Sequence, residues 1–197
     1  MLECCFSYVR QLRERRKIRH LASGFSPRRV IDIGCGMYPF PEFVFPGTLT
    51  FFADVNLPDN SVAGLGRSGA FCQADVQYLP FADQAFDFVH CSNVLEHIPN
   101  PERGYRELRR IAAHGYIECP SAFRENIICH TGAHRWIVEL TEHGVTKREP
   151  TQTQVLGLQV LPMTWIYRAL TRIRICWKIF DFMMADCLGL MYRHIAF

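Results

Sequence analysis

Three aspartates each follow a short apolar segment in the first half of this 197-residue chain. Asp32, Asp54 and Asp75 stand in the segments RVIDIG, LTFFADV and AFCQADV. A carboxylate can accept hydrogen bonds from an ammonium group, from ribose hydroxyls or from an adenine amino group. If the fold brings the three segment ends together, their carboxylates form one acidic row beside a single ligand.

The loop after the first segment contains two glycines, Gly34 and Gly36, on either side of Cys35. Glycine permits a sharp turn after a strand and lets a ligand approach the backbone without meeting a Cβ atom. A dinucleotide fingerprint requires a third glycine where this chain continues as MYPFP, and Asp32 would repel a pyrophosphate. The loop therefore disfavours a nicotinamide-dependent dehydrogenase and indicates a ligand that carries an ammonium group.

The elements that must position these residues alternate along the chain. Strand-like segments are predicted at 29–34, 49–55, 70–76, 86–92 and 114–120, and a helix is predicted at 100–113. Strands that alternate with helices or crossovers predict a mostly parallel sheet that is covered on both faces. Ligands of such sheets bind beyond the carboxyl ends of the strands, where the strand order reverses.

The pattern changes after Pro120. The segments 134–140 and 145–150 surround the turn sequence TEHG and predict an antiparallel hairpin. Residues 155–196 predict one or two helices rich in large apolar side chains, with arginines among them. Such helices serve as core, lid or dimer contact, and an interfacial surface for an amphiphilic substrate is the alternative.

The first 27 residues are predicted to form a separate N-terminal unit. Residues 2–20 repeat apolar side chains at helical spacing, and the opposite face is basic. This amphipathic helix either covers the ligand pocket or contacts acidic lipid. The predicted organisation is the N-terminal helix at 1–27, a ligand-binding domain at 28–150 and a C-terminal helical extension at 151–197.

Composition excludes several classes of protein. Hydrophobic residues make up 49% and charged residues 21% of the chain, which is typical of a folded domain. The nine cysteines are odd in number and contain no CxxC pair, which predicts reduced thiols and a cytoplasmic protein, with membrane association as an alternative. We expect no transmembrane helix, and we expect no nucleic-acid partner because no basic-aromatic stripe is visible.

Four stretches of this chain together resemble the class I S-adenosylmethionine-dependent methyltransferases that act on small molecules and lipids. They are VIDIGCG, FFADV, CQADVQYLPFADQAFDFVHCSNVLEHIPNPERGYRELRRI and GYIECPS, which together cover roughly residues 28–121. The resemblance implies an α/β, Rossmann-like doubly wound sheet, mostly parallel, with the C-terminal antiparallel hairpin and helices appended. It also implies S-adenosylmethionine as the cofactor.

The resemblance further implies a set of cofactor-binding residues. They are Asp32, Gly34, Cys35 and Gly36 at the methionine end, Asp54 and Val55 at the ribose, Asp75 and Val76 at the adenine, and Cys91 and Ser92 along the backbone after the fourth strand. Tyr38 and Phe40, where the family has its third glycine, are predicted to form a wall against the methionine end or the acceptor.

A sulfonium methyl group is already activated, so the enzyme mainly aligns the acceptor atom with the sulfur. A general base is needed only when the acceptor is protonated, and His97 and His134 are the candidates. Cys129, His130 and His143 could form a metal set with His134, but their spacing is not that of a structural zinc site, so we expect no metal.

Two functions from different classes fit these observations. The first is an S-adenosylmethionine-dependent methyltransferase with a small-molecule or lipid-like acceptor. The second is a catalytically idle, methyltransferase-like module that acts as a scaffold or binds a partner, which the bulky glycine loop and the short chain allow. The sequence leaves open which atom of the acceptor would be methylated.

Overall fold

The computed structural model describes residues 14, 16–20, 24–36, 45, 47–56, 69–128, 134–141, 144–150 and 192–197. Ten elements lie in these ranges. They are β1 (Arg29–Ile33), β2 (Leu49–Asp54), β3 (Ala70–Gln73), β4 (Phe86–Ser92), α1 (Pro101–Ile111), β5 (Ala112–Pro120), α2 (Ala122–Ile128), β6 (Ile137–Thr141), β7 (Gly144–Arg148) and β8 (Tyr192–Ala196). Residues 14 and 16–20 are also helical, within the predicted N-terminal helix.

Six strands form one sheet in the order β3-β2-β1-β4-β5-β8. The pairs among β1 to β5 are all parallel, and β8 pairs antiparallel with β5. The chain moves outward from β1 to β3 and then returns to place β4 on the other side of β1. This reversal is the switch point of a doubly wound sheet, so the predicted fold class is confirmed.

The predicted hairpin is also confirmed, since β6 and β7 form a separate antiparallel pair. Its Lys147 Nζ lies 3.0 Å from Oε2 of Glu102 in α1. Helix α1 begins as its sequence predicts, because Asn100 caps it by accepting a hydrogen bond from Arg103 N at 3.0 Å and Pro101 follows the cap.

Two elements correct the sequence prediction. Tyr192–Ala196 was expected to be helical but forms β8, because this end of the chain pairs along the edge of β5. Helix α2 was not predicted, although Ser121 caps it by accepting a hydrogen bond from Arg124 N at 3.1 Å. The predicted helices within 151–191 lie outside the described residues.

The side chains of strand β1 point alternately to the two faces of the sheet, and both faces are buried there. Ile31 and Ile33 point into the larger apolar cluster, with α1 and the hairpin. Val30 points to the opposite face, where it packs with the fully buried Ile18 of the N-terminal helical segment. Since side chains alternate along a strand, Asp32 lies on the same face as Val30. This placement decides what Asp32 can contact.

Candidate functional site

A cavity of about 480 Å³ opens at the carboxyl ends of the first strands, at the switch point. That size falls within the range of small-molecule and cofactor sites. Its walls come from the ends of β1 and β2 and from the loops after β3 and β4. It is lined by Ile33, Gly34, Asp54, Val55, Asn56, Ala74, Asp75, Val76, Gln77, Asn93, Val94, His97, Ile98 and Pro99.

Gly34 turns the chain at the floor of this cavity. Its φ is +71°, and its N–H donates to the carbonyl oxygen of Ala53 at 2.7 Å. A Cβ atom at this position would clash with the Val94 side chain. Both its backbone conformation and this close contact therefore require glycine.

Asp54 lies half-buried at the end of β2 and faces the cavity. Its Oδ2 accepts a hydrogen bond from Gly36 N at 3.0 Å, and its Oδ1 accepts one from Asn56 N at 2.9 Å. Each carboxylate oxygen has two lone pairs, so both oxygens can accept a further bond from a ligand hydroxyl. Gly36 is thus held beside the cavity through Asp54.

Asp75 stabilises the turn after β3, which forms part of the cavity wall. Its Oδ1 accepts a hydrogen bond from Gln77 N at 2.8 Å, and the Gln77 side-chain amide lies 3.1 Å from its Oδ2. Val76 is buried behind this turn, whereas the Val55 side chain is 60% exposed at the cavity. Acidic acceptors and apolar surface thus stand together, which suits an aromatic base with an amino group.

The structure corrects the expected role of Asp32. Its carboxylate is buried on the opposite face of the sheet, where Oδ1 lies 2.7 Å from His90 Nδ1. The other ring nitrogen of His90 lies 2.7 Å from Oε1 of Glu14 in the N-terminal helical segment. Burial alone would lower the pKa of His90, but the two carboxylates outweigh burial and raise that pKa to about 10. Asp32 thus contacts a protonated histidine and does not line the cavity.

The two cysteines of the expected cofactor set have buried side chains, and the predicted cofactor contact of the backbone around Cys91 and Ser92 stays a prediction. Cys91 is fully buried in the core and Cys35 is 4% exposed, so neither thiol lines the cavity. Burial raises the pKa of the Cys91 thiol well above its ordinary value. Ser92 accepts a hydrogen bond from the Asn93 side chain at 3.0 Å, and Asn93 and Val94, the next two residues along the chain, line the cavity.

Asn56, Gln77 and Asn93 line the cavity and were not predicted from the sequence. Asn93 has a φ of +55°, a conformation in which asparagine is one of the few tolerated residues. An asparagine directly after a buried strand is the signal that could have identified it. Tyr38 and Phe40 lie outside the described residues, and their predicted wall stays a prediction.

The two candidate histidines lie side by side although 37 positions separate them in the sequence. Their ring centroids are 4.7 Å apart, and His97 lines the cavity. The segment of His134 is fixed to the loop of His97 by the Trp136 indole N–H, which donates to the carbonyl oxygen of Ile98 at 2.9 Å. His134 Nδ1 lies 2.9 Å from Oε1 of Glu125, and this hydrogen bond raises the pKa of His134.

Glu96 is a third member of this group that the sequence did not reveal. It is 1% exposed, and burial raises its pKa to about 7. Ligand atoms of Glu96, His97 and His134 all lie within 4.8 Å of one another. The other residues of the predicted metal alternative, Cys129, His130 and His143, lie outside the described residues.

Comparison with known proteins finds a match in the central part of the chain. Residues 31–117 match the family model described as a methyltransferase domain. This region runs from β1 to β5 and contains all the described residues that line the cavity.

Two curated relatives illustrate the range of the matches. The chain is 28% identical over 96 residues to cycloartenol-C-24-methyltransferase 1 of Oryza sativa, a match covering 44% of this chain and 28% of the relative. It is 33% identical over 92 residues to an uncharacterized methyltransferase of Mycobacterium leprae, covering 45% of this chain and 34% of the relative. The match thus spans about a third or less of these relatives' length.

The fold is similar to that of a solved protein from Pyrococcus horikoshii over most of both chains. The TM-score is 0.51 at 15% sequence identity, and the match covers 81% of each chain. At this identity the likeness concerns the fold alone. None of the helices within the described residues has the length and apolar character needed to cross a membrane.

Proposed function

We propose that this chain, whose residues 31–117 form a class I S-adenosylmethionine-dependent methyltransferase domain, transfers a methyl group to a small-molecule or lipid-like acceptor. The observation that carries the proposal is the cavity at the switch point. Asp54 and Asp75 both line it, at the ends of successive strands. This is the edge where sheets of this kind bind nucleosides.

In this proposal the nucleoside of the cofactor lies along Asp54 and Asp75. Asp54 accepts hydrogen bonds from the ribose hydroxyls through the lone pairs that its two backbone contacts leave available. Asp75 accepts from the adenine amino group, with the ring packed against the exposed Val55. The amino-acid end passes over Gly34 and Gly36, where the absence of side chains leaves room for it.

The protein's contribution to catalysis is then mainly alignment. The bound cofactor supplies a methyl group on a positively charged sulfur, which is transferred by in-line displacement. Holding the acceptor against this methyl group is worth about 7–11 kcal/mol at its best. His97 lines the cavity with a side chain that is 43% exposed, and we place the acceptor on its side.

A lipid-like or other apolar acceptor is supported by two observations. Several cavity residues on the side of Val94 and Ile98 are apolar. The name of the Oryza sativa relative also describes action on cycloartenol, a sterol. Where the acceptor is a hydroxyl or amine, His97 or His134 is the general base that we propose, with Glu125 orienting His134.

Calorimetric titration with S-adenosylmethionine and with its demethylated product tests this proposal. We expect wild-type protein to bind both, and Asp54→Asn to bind at least about tenfold more weakly because ribose hydrogen bonds are lost, each tenfold being 1.4 kcal/mol. Asp83→Asn is the matched control, since Asp83 pairs with Arg110 away from the cavity. Absence of binding by the wild type, or equal binding by Asp54→Asn, would overturn the proposal.

One observation favours the second candidate, an idle module of the same fold. Asp32, expected to bind the cofactor's ammonium group, is engaged by His90 instead. Turnover of S-adenosylmethionine with a broad panel of acceptors separates the two functions. Binding without turnover, together with a stable protein partner, would favour the idle module.

A further inference from the structure

We propose that Glu96, His97 and His134 form a site for one divalent transition-metal ion, of the kind that zinc occupies. Two imidazoles and one carboxylate are a recurrent ligand set for such ions, and three protein ligands leave a coordination position open. The three ligand atoms lie within 4.8 Å of one another. Glu96 and His97 lie within the family match at residues 31–117, and His134 lies outside it.

The buried carboxyl group of Glu96 is the first independent sign of a missing ligand. Its side chain is 2% exposed, and Oε1 lies 3.9 Å from His97 Nε2. Among the described residues neither oxygen has a hydrogen-bond partner, apart from the weak thiol donor of the neighbouring Cys119. A buried carboxyl group left in this way costs free energy, which a bound cation would offset.

The contact of Glu125 with His134 is the second independent sign of a metal site. Histidines that bind metals almost always donate their other ring N–H to a carboxylate or carbonyl, which fixes the tautomer. His134 has this arrangement, since its Nδ1 lies 2.9 Å from Oε1 of the buried Glu125. Nε2 is then the nitrogen that a metal ion would take.

The scaffold around the three ligands is firmly connected. Arg135 N donates to the carbonyl oxygen of Glu96 at 2.8 Å, so the segment before β6 is fixed directly to the loop that carries Glu96 and His97. Ligand atoms around zinc lie roughly 3.3 Å apart, as bond lengths near 2.1 Å require. The three atoms lie within 4.8 Å of one another, so side-chain rotations that shorten their separations would be needed to reach that distance.

The local charge suits a cation. The group contains the carboxyl groups of Glu96 and Glu125, and the nearby Arg124 guanidinium lies 3.8 Å from Glu125. Two carboxyl groups therefore stand against one guanidinium. A divalent ion would compensate the carboxyl groups, and its binding would require both imidazoles to be neutral.

The position of the site gives the ion a role that rests on the proposed function. His97 belongs both to the metal set and to the cavity lining. In the metal-bound protein the ion would replace the histidine general base: a hydroxyl acceptor bound at the open position would lose its proton to solvent more readily. Its oxygen would then form the new bond to the methyl carbon, while the carbon–sulfur bond breaks and sulfur keeps the electron pair.

The site is tested with the full chain, freed of metal by a chelator and kept without S-adenosylmethionine. Zn²⁺ and Mg²⁺ are titrated by calorimetry, and Co²⁺ is titrated by visible absorption. We expect one Co²⁺ with a ligand-field spectrum of nitrogen and oxygen ligands, one Zn²⁺ that raises the melting temperature, and weak binding of Mg²⁺, which prefers oxygen ligands.

Four variants assign the site. Glu96→Gln and His134→Ala should each lose this equivalent of metal and the Zn²⁺-dependent rise in melting temperature. Glu125→Gln should weaken binding about 10–100-fold, because it orients His134 without touching the ion. His114→Gln is the matched control, an exposed histidine of β5 that packs on Phe25 and should bind like wild type.

Three results would overturn the proposed metal site. They are no binding by wild type, equal binding by wild type and Glu96→Gln, and a thiolate charge-transfer spectrum that persists in both site variants. The metal titration contains no S-adenosylmethionine, so it is independent of the separate titration with the cofactor. A protein that binds metal but not S-adenosylmethionine would contradict the proposed methyl transfer and support the metal site. S-adenosylmethionine binding without metal binding would do the reverse.

Discussion

At the scale of single residues, the three aspartates that the sequence groups together have different surroundings. Asp54 and Asp75 face the cavity, whereas Asp32 is buried on the other face against His90. Strand β1 is buried on both faces, so its apolar pattern does not tell which way its carboxylate points. The sequence therefore predicted the edge of the sheet where these residues meet, but not the face that Asp32 occupies.

Gly34 provides a residue-scale prediction. In Gly34→Ala the backbone strain at positive φ costs about 1–2 kcal/mol, and the new methyl group also clashes with Val94 at the cavity. We expect a lower melting temperature in thermal denaturation and weaker binding of S-adenosylmethionine in calorimetry.

Gly24→Ala is the matched control for this change. Gly24 has a φ of +90°, but no atom of the described residues lies within 4 Å of the position where its Cβ would be. This variant should carry the backbone strain without the clash. If the two variants lower the melting temperature equally and both bind the cofactor normally, the close contact with Val94 has no consequence.

At the scale of elements, the N-terminal helical segment is joined to the sheet by apolar packing and by charge. Ile18 is fully buried against Val30 and Tyr116, and Glu14 lies 2.7 Å from His90, which in turn contacts Asp32. The sequence predicted an amphipathic helix that either covers the pocket or contacts lipid. The described part of this segment covers the sheet face opposite to the cavity, so covering the pocket is not the role of these residues.

This connection predicts a pH dependence of the free energy of unfolding. The pKa of His90 is raised from 6.5 to about 10, so its stabilising charge is complete below pH 6.5 and is lost as the pH rises through 10. Stability should therefore decrease from pH 7 to pH 10, with a limiting slope of about 1.4 kcal/mol per pH unit from this group. Urea denaturation across this range measures it.

Glu14→Gln is the comparison variant for the pH series. It removes one of the two carboxylates that raise the pKa of His90, so the fall in stability should end at a lower pH than in wild type and its total size should be smaller. Lysines, cysteines and tyrosines that titrate in the same range contribute equally to both proteins. Parallel curves for wild type and Glu14→Gln would contradict the assigned pair.

At the scale of the whole molecule, the sequence predicted strands β1 to β5, helix α1 and the hairpin, because each has a local pattern. It did not predict β8, whose five residues are defined by pairing with the distant β5. The group of Glu96 and His134 was missed for a similar reason. Only tertiary hydrogen bonds, such as that from Arg135 N to the carbonyl oxygen of Glu96, bring these segments together.

Strand β8 gives the last prediction, which concerns how the sheet is completed. Gly115 and Phe197 exchange backbone hydrogen bonds of 3.0 and 3.2 Å in this antiparallel pair. Such pairs alternate with pairs that make no hydrogen bonds, so the N–H of Ile195 also points to β5, whereas that of Ala196 points away. Proline lacks this N–H, so its effect should depend on which of the two positions it occupies.

Ile195→Pro should lower the free energy of unfolding about 1–3 kcal/mol further than Ile195→Ala, because it leaves a carbonyl of β5 without its partner. The alanine variant removes the same packing but keeps the N–H. Ala196→Pro should cost clearly less than Ile195→Pro, since its lost N–H does not belong to this ladder. Urea denaturation of the three variants measures these differences, and equal losses for the two proline variants would show that the pairing does not stabilise the sheet.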